Sequence, residues 1–129
     1  MAAPPFEILG IDHLLLHVRG MEESERFYRD VLGCAVKNRM PQYAMLELSA
    51  GVTLVDTADP KGSWALEGTQ PGRNLDHFAL ATSPWDKAPT LDWLAAHEIA
   101  IEEQRSDGDE LSFYVRDPSG NLVELLRRA

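Results

Sequence analysis

Two Asp-His pairs divide this sequence into two halves of the same design. They lie 64 residues apart, in Asp12-His13-Leu14-Leu15-Leu16 and in Asp76-His77-Phe78-Ala79-Leu80, and each opens an apolar segment typical of a strand. A helix pattern and three further strand patterns follow in each half. The repeat predicts an α+β fold of two βαβββ modules, whose curved mixed sheets face each other across a cleft.

We expect one domain over residues 1–129, with module one at 8–57, a linker rich in glycine and proline at 58–74, and module two at 75–127. In module one the helix runs from Met21 to Leu32, and Gly33 is typical of a helix C-cap. In module two His97 occupies the matching place, so we expect it in a left-handed turn. The predicted strands are Ile8–Val18, Ala35–Arg39, Tyr43–Ser49, Val52–Thr57, Leu75–Ala81, Ile99–Gln104, Leu111–Arg116 and Leu122–Arg127.

The charge balance restricts the possible partners. Twelve basic against 21 acidic side chains give a net charge of −9, which argues against nucleic acid or an anionic membrane as partner. The apolar run from Phe6 to Leu16 is too short and too polar for a signal core or a membrane span. A single cysteine, Cys34, excludes an intrachain disulfide and suits a reducing cytoplasm, where we expect the protein.

Three side chains on these strands form a candidate metal site. A carboxylate such as Glu124, within Leu122–Leu126, is costly to bury unless it is paired or bound to a cation. With His13 and His77 it makes a set of two histidines and one carboxylate, which suits a catalytic divalent metal. Because side chains alternate along a strand, we expect Asp12 and Asp76 to point away and not to orient the neighbouring histidines.

The chain resembles the vicinal oxygen chelate superfamily from Ile11 to Leu126. The segments that carry the resemblance are Ile11-Asp12-His13-Leu14, Arg26–Gly33, Leu75–Ala79 and Phe113–Glu124. The superfamily includes glyoxalase I, thiol transferases that inactivate fosfomycin, extradiol dioxygenases and bleomycin-binding proteins. The resemblance implies that His13, His77 and Glu124 bind one divalent metal per site, which is Zn, Ni, Fe, Mn or Co.

Glyoxalase I adds a fourth ligand from the last strand of module one. The best register places Leu54 there, and a shift of two residues would place Asp56 there instead. Three ligands would leave open positions for substrate, whereas four resemble isomerase or lyase chemistry. Asp56, Glu47 and His17 are the candidates for proton transfer.

The segment from Gln104 to Tyr114 is similar to the fosfomycin thiol transferases. It makes Arg105, Ser106 and Tyr114 candidates for substrate binding, and Trp64 in the linker is a candidate lid. Leu15 and Glu102, however, stand where those enzymes have a threonine and a lysine. These two departures argue against fosfomycin as the substrate.

The resemblance implies a metal-dependent enzyme that acts on a small oxygen-chelating substrate. A lyase or isomerase and an oxygen-consuming dioxygenase both remain open. The alternative is a non-catalytic protein that binds a small molecule such as an antibiotic and confers resistance. The resemblance also implies a homodimer in which His13 meets His77 and Glu124 across the interface, although closure within one chain through the linker remains open.

Overall fold

Two four-stranded mixed sheets make up the fold, in a computed structural model that describes residues 3–67 and 75–128. The strand orders are β1-β4-β3-β2 and β5-β8-β7-β6. In each sheet the first strand pairs in parallel with the last, and the other neighbours are antiparallel. The predicted α+β fold class is confirmed. Residues 68–74 of the predicted linker, and the chain ends at 1–2 and 129, lie outside the described residues.

The elements follow the same order in both halves. Module one contains β1 (Leu14–Val18), α1 (Met21–Glu25) with a π-helical continuation (Arg26–Val31), β2 (Val36–Met40), β3 (Met45–Leu48) and β4 (Val52–Asp56). Module two contains β5 (Phe78–Ala81), α2 (Lys87–Ala96), β6 (Ile101–Asp107), β7 (Glu110–Arg116) and β8 (Leu122–Arg127). No helix in the described part of the chain has the length and apolarity to span a membrane.

Both first strands are shorter than predicted. The strand expected from Ile8 begins at Leu14, and the one expected from Leu75 begins at Phe78. Each residue of β1 pairs with one of the five residues of β4, so the residues before Leu14 have no partner in that sheet. Ile8, at 81% exposure, is nearly as open as in an extended chain. Apolar sequence alone therefore overestimated the strand.

The first helix also differs from a regular α-helix. After Glu25 it widens into π-helical turns, and Leu32 N–H donates to the carbonyl of Phe27. The wider turn buries two consecutive side chains, Phe27 and Tyr28, in the core. Gly33 ends the segment with a φ of 80°, as predicted.

The prediction for His97 was wrong by one residue. His97 has a φ of −95°, and Glu98 adopts the left-handed conformation. The ring of His97 lies against Trp93 with the ring centroids 4.3 Å apart.

The two modules of one chain pack together through a shared core and through polar bonds. Tyr28 Oη donates to Asp117 Oδ2 over 2.8 Å, and both groups are buried. Trp93 Nε1 donates to the carbonyl of Val31 over 2.9 Å, which joins α2 to the first helix. These contacts bring β1 and β5 to the two sides of a groove, which is lined by Leu14, Leu75 and His77 among others.

Candidate metal centre

Each sheet has one face toward its helix and one open face. In β1 the side chains of Leu16 and Val18 are in the core, whereas Leu15 and His17 are exposed on the open face. The open face of the second sheet carries Ala79, Glu124 and Tyr114, which pair directly across neighbouring strands. Strand alternation therefore directs Glu124 away from the helix and toward the predicted cleft.

His77 and Glu124 meet on this open face. His77 Nε2 lies 3.1 Å from Glu124 Oε1, and Ser112 Oγ donates to Glu124 Oε2 over 2.5 Å. The side chain of Glu124 is 13% exposed and that of His77 is 32% exposed. Two of the three predicted ligands are thus adjacent and partly shielded from water.

The surroundings of Glu124 favour its charged form. Burial alone would raise the pKa of its carboxyl, but hydrogen bonds from Ser112, Tyr114 and His77 hold that pKa below its usual range. The pKa of His77 is raised, chiefly by its hydrogen bond to Asp76, against the opposing effect of burial and with further help from Glu124. The two shifts together favour a charged carboxylate on Glu124 beside a protonated imidazole on His77.

The prediction that the two aspartates point away was wrong. Asp12 Oδ2 lies 2.8 Å from His13 Nδ1, and Asp76 Oδ2 lies 2.7 Å from His77 Nδ1. Strand alternation does not apply to these residues because β1 begins at Leu14 and β5 begins at Phe78. Each aspartate and histidine lie in the irregular backbone that leads into a strand.

Among the described residues of one chain, the three predicted ligands do not form a group that could hold a metal ion. The described residues include no group of three or more His, Cys, Asp or Glu side chains placed to hold a metal ion. The side chain of His13 is 57% exposed on module one. A complete set of three ligands therefore does not form within the chain as it stands.

The pairing of strands corrects the predicted fourth-ligand position. Leu15 pairs with Thr53 in the first sheet, just as Ala79 pairs with Glu124 in the second. Thr53 is thus the counterpart of Glu124. Leu54 pairs with Leu16 and is fully buried in the core, so the predicted register was wrong by one residue.

Asp56 follows Leu54 by two residues and so shares its face of β4. The carboxylate of Asp56 caps the first helix. This carboxylate accepts hydrogen bonds from the backbone N–H groups of Gly20, Met21 and Ala58, at 3.0–3.1 Å. The bonds from Gly20 and Met21 satisfy donors at the start of α1. The structure therefore gives Asp56 a structural role and not the predicted place in the cleft.

A polar cavity of about 280 Å³ adjoins Glu124. The guanidinium of Arg105 lies 5.7 Å from the ring centroid of Tyr114, and that ring is 5.3 Å from the ring of His77. Ser106 also lines the cavity. It pairs with buried Leu111, however, and so belongs to the face of β6 opposite to that of Arg105. Of the four predicted substrate-binding residues (Trp64 is the fourth), Arg105 and Tyr114 are on the face of Glu124.

The remaining candidates lie elsewhere on module one. Glu47 pairs with Thr53, so it is on the open face of the first sheet. His17 is exposed beside the groove between β1 and β5, and its carbonyl accepts a hydrogen bond from Asn121. Trp64 Nε1 donates to the carbonyl of Tyr43 over 3.3 Å, and Trp64 is not among the residues that line the cavity beside Glu124.

Sequence reasoning did not assign Ser112 or Thr53. A signal for Ser112 was present, because Ser112 and Tyr114 are two residues apart and so share one face of β7. No comparable signal marked Thr53, because Val52–Val55 is buried on both faces and lacks alternation.

The sequence from residue 10 to residue 125 matches the Glyoxalase/Bleomycin resistance protein/Dioxygenase superfamily. The chain belongs to this superfamily. The expected relationship to glyoxalase-like proteins is therefore confirmed for the family as a whole.

Several known proteins are similar to this chain over most of their length. The Virulence protein STM3117 of Salmonella typhimurium is 29% identical, over 89% of this chain and 81% of that protein. The Metallothiol transferase FosB of Staphylococcus haemolyticus is 28% identical, over 92% of this chain and 83% of that enzyme. The structure of lactoylglutathione lyase from Agrobacterium tumefaciens is 26% identical, with a TM-score of 0.68 over 93% of this chain and 94% of that one. Metal-dependent enzymes are thus among the relatives, as the sequence had indicated.

Proposed function

We propose that this protein is a metal-dependent enzyme of the superfamily, and that it acts on a small substrate with two neighbouring oxygen atoms. The observation that carries the proposal is the meeting of His77 and Glu124 on one open face, where Ser112 also bonds Glu124. Two imidazoles and one carboxylate are a ligand set that leaves positions for substrate. His13, His77 and Glu124 would hold the ion.

A divalent metal in this place would polarise the substrate oxygens and favour negative charge on them. Tyr114 and Arg105 adjoin Glu124 and present an O–H and a guanidinium for a polar group of the substrate. Glu47, on the open face of module one beside Thr53, is the carboxylate we assign to proton transfer. His17 is a second candidate for that role because it is exposed on the face of Leu15.

Metal analysis of the purified protein and of matched variants tests the ligand set. We expect His13→Ala, His77→Ala and Glu124→Ala each to lose the bound divalent ion. His97→Ala is the control, because it removes an imidazole that lies on α2 against Trp93, away from Glu124. Retention of a full equivalent of metal by His77→Ala or Glu124→Ala would refute the site.

Reaction class is decided by activity assays on the metal-loaded protein. Oxygen uptake with catechol-type substrates would indicate a dioxygenase, whereas conversion without oxygen would indicate a lyase or isomerase. Tight binding of a small molecule with no conversion would support the alternative, an antibiotic-binding resistance protein. We expect weak turnover of the methylglyoxal–glutathione adduct, because Thr53 and not a carboxylate is the counterpart of Glu124.

Fosfomycin is not the substrate that the cavity favours. Arg105 lines the cavity and its Nε donates to Glu103 over 2.9 Å, so a carboxylate partly neutralises this guanidinium group. A doubly charged phosphonate would meet Asp107, Glu110 and Glu124 in the same cavity. Efficient addition of a thiol to fosfomycin would contradict this interpretation.

We further propose a homodimer in which His13 of one chain joins His77 and Glu124 of the partner subunit. The proposal is supported by the exposure of His13 and by the finding that the described residues of one chain include no group of three ligand-type side chains placed to hold a metal ion. Mixing a His13→Ala chain with a Glu124→Ala chain tests it. Shared sites would restore one complete site per mixed dimer, whereas sites that close within a chain would restore no metal binding.

A further inference from the structure

A buried hydroxyl holds one oxygen of the Glu124 carboxylate. Ser112 lies on β7, an inner strand between β6 and β8, and it is only 4% exposed. Its Oγ donates to Glu124 Oε2 over 2.5 Å, which satisfies a polar group that would be costly to bury unpaired. The other oxygen, Oε1, is the one that lies 3.1 Å from His77 Nε2. The two oxygens of this carboxylate therefore have different partners.

The repeat offers a comparison for this hydroxyl within the same chain. Strand pairing makes Met45 of β3 the counterpart of Ser112, as it makes Thr53 the counterpart of Glu124. Module one thus has neither the carboxylate nor the hydroxyl that would bond to it. The fold of the sheet does not require a hydroxyl at this place, because the equivalent sheet has a methionine there. The hydroxyl accompanies the candidate ligand.

We propose that Ser112 is a positioning residue that holds Oε2 of Glu124 and leaves Oε1 as the single oxygen for the metal. This inference rests on the proposed metal site. A carboxylate can bind a metal through one oxygen or through both. Because Ser112 occupies the second oxygen, Glu124 takes only one position on the ion. A substrate with two neighbouring oxygens needs the position that is thereby kept open.

The first test is the visible spectrum of the full chain loaded with cobalt(II), whose absorption weakens as the number of ligands rises. We expect weaker absorption per bound cobalt in Ser112→Ala than in the wild type, since the freed Oε2 adds to the metal. This variant keeps the hydrogen bond from Tyr114 to Glu124, so the change belongs to Ser112. Ser112→Thr retains a hydroxyl and should keep the spectrum of the wild type.

The second test is the affinity of the cobalt-loaded protein for acetohydroxamate, a small molecule that chelates metals through two neighbouring oxygens. We expect Ser112→Ala to bind it about 10- to 100-fold more weakly than the wild type, the usual size of effects from groups that orient a metal ligand. Ser83→Ala is the control, because it removes an exposed hydroxyl from the loop between β5 and α2. Thermal unfolding of each variant verifies that it is folded.

The outcomes separate this inference from the proposed function. An unchanged spectrum or an unchanged acetohydroxamate affinity in Ser112→Ala overturns the inference alone. Loss of all cobalt from the folded variant also overturns it, since the freed oxygen should add to the ion. A wild type that binds no cobalt overturns both the inference and the proposed function.

Discussion

At the scale of single residues, a well-shielded carboxylate lies on the first helix. Glu25 accepts two hydrogen bonds from Arg39, at 2.7 and 2.9 Å, and a further bond from Arg29. Its side chain is only 12% exposed. The hydrogen bond from Arg39 is the largest cause of the lowered pKa of Glu25, and burial opposes it. This pair ties the helix to β2.

We expect Glu25→Gln to lower the free energy of unfolding at pH 7 by about 1–2 kcal/mol. A carboxyl with a lowered pKa in the folded state stabilises above its unfolded pKa of about 4.3, and the gain is lost as pH falls through the folded value. The difference between wild type and variant should therefore vanish in acid. Urea unfolding at pH 7 and at low pH measures it.

Glu22→Gln is the matched control on the same helix. Its carboxylate lies 4.0 Å from Arg26 and is 90% exposed, so we expect nearly no effect. An equal loss in both variants would show that helix charge, and not the bond to Arg39, is responsible.

At the scale of elements, the pairing of β1 with β4 decides which residue faces the cleft. We expect Thr53→Glu to bind zinc more tightly, because it places a carboxylate at the counterpart of Glu124. Thr53 is itself only 4% exposed, so we also expect this carboxylate to lower the free energy of unfolding. Leu54→Glu should unfold the protein, since it puts a charge into the core beside Leu16. Unfolding curves and zinc competition on both variants measure this. If Leu54→Glu folds and binds zinc more tightly, Leu54 faces the cleft, as the register predicted from the sequence had it.

The sequence predicted the repeat and the βαβββ order of elements within each module, because turns and apolar runs recur in both halves. It did not predict which residues of β4 point toward the cleft. Val52–Val55 is buried on both faces, so this segment lacks the alternation of polar and apolar residues that would reveal the register. It also missed the Asp-His contacts. There the alternation rule was applied to residues that precede the regular strand.

The sequence also predicted part of the candidate metal site. Ligand-type side chains at matching repeat positions identified His77 and Glu124, which the structure brings together. The place of His13 depends on a contact between modules, and a sequence pattern within one strand carries no information about it. Packing between distant segments had to be seen in three dimensions.

At the scale of the whole molecule, one buried bond joins the two modules. Asp117 accepts from Tyr28 Oη, and also from the N–H groups of Ser119 and Asn121. The pKa of Tyr28 is raised, first by burial and then by the charge of Asp117. The hydroxyl therefore stays protonated and remains a donor.

Tyr28→Phe should lower the free energy of unfolding by about 1–3 kcal/mol, because it removes one donor from a buried carboxylate. Tyr43→Phe is the control, since Tyr43 is 53% exposed. Chemical denaturation of the two variants gives the comparison. Equal stability of Tyr28→Phe and the wild type would mean that the apolar core alone holds the modules together.

The parallel pairing of first and last strands has a consequence for how the chain acquires its shape. β5 hydrogen-bonds within its sheet only to β8, which begins more than 40 residues later in the sequence. Contacts between such distant segments are slow to form because loop closure must precede them. A ribosome must complete residues 122–127 before residues 78–81 gain that neighbour. The pairing of His77 with Glu124 is thus a late event in the folding of module two.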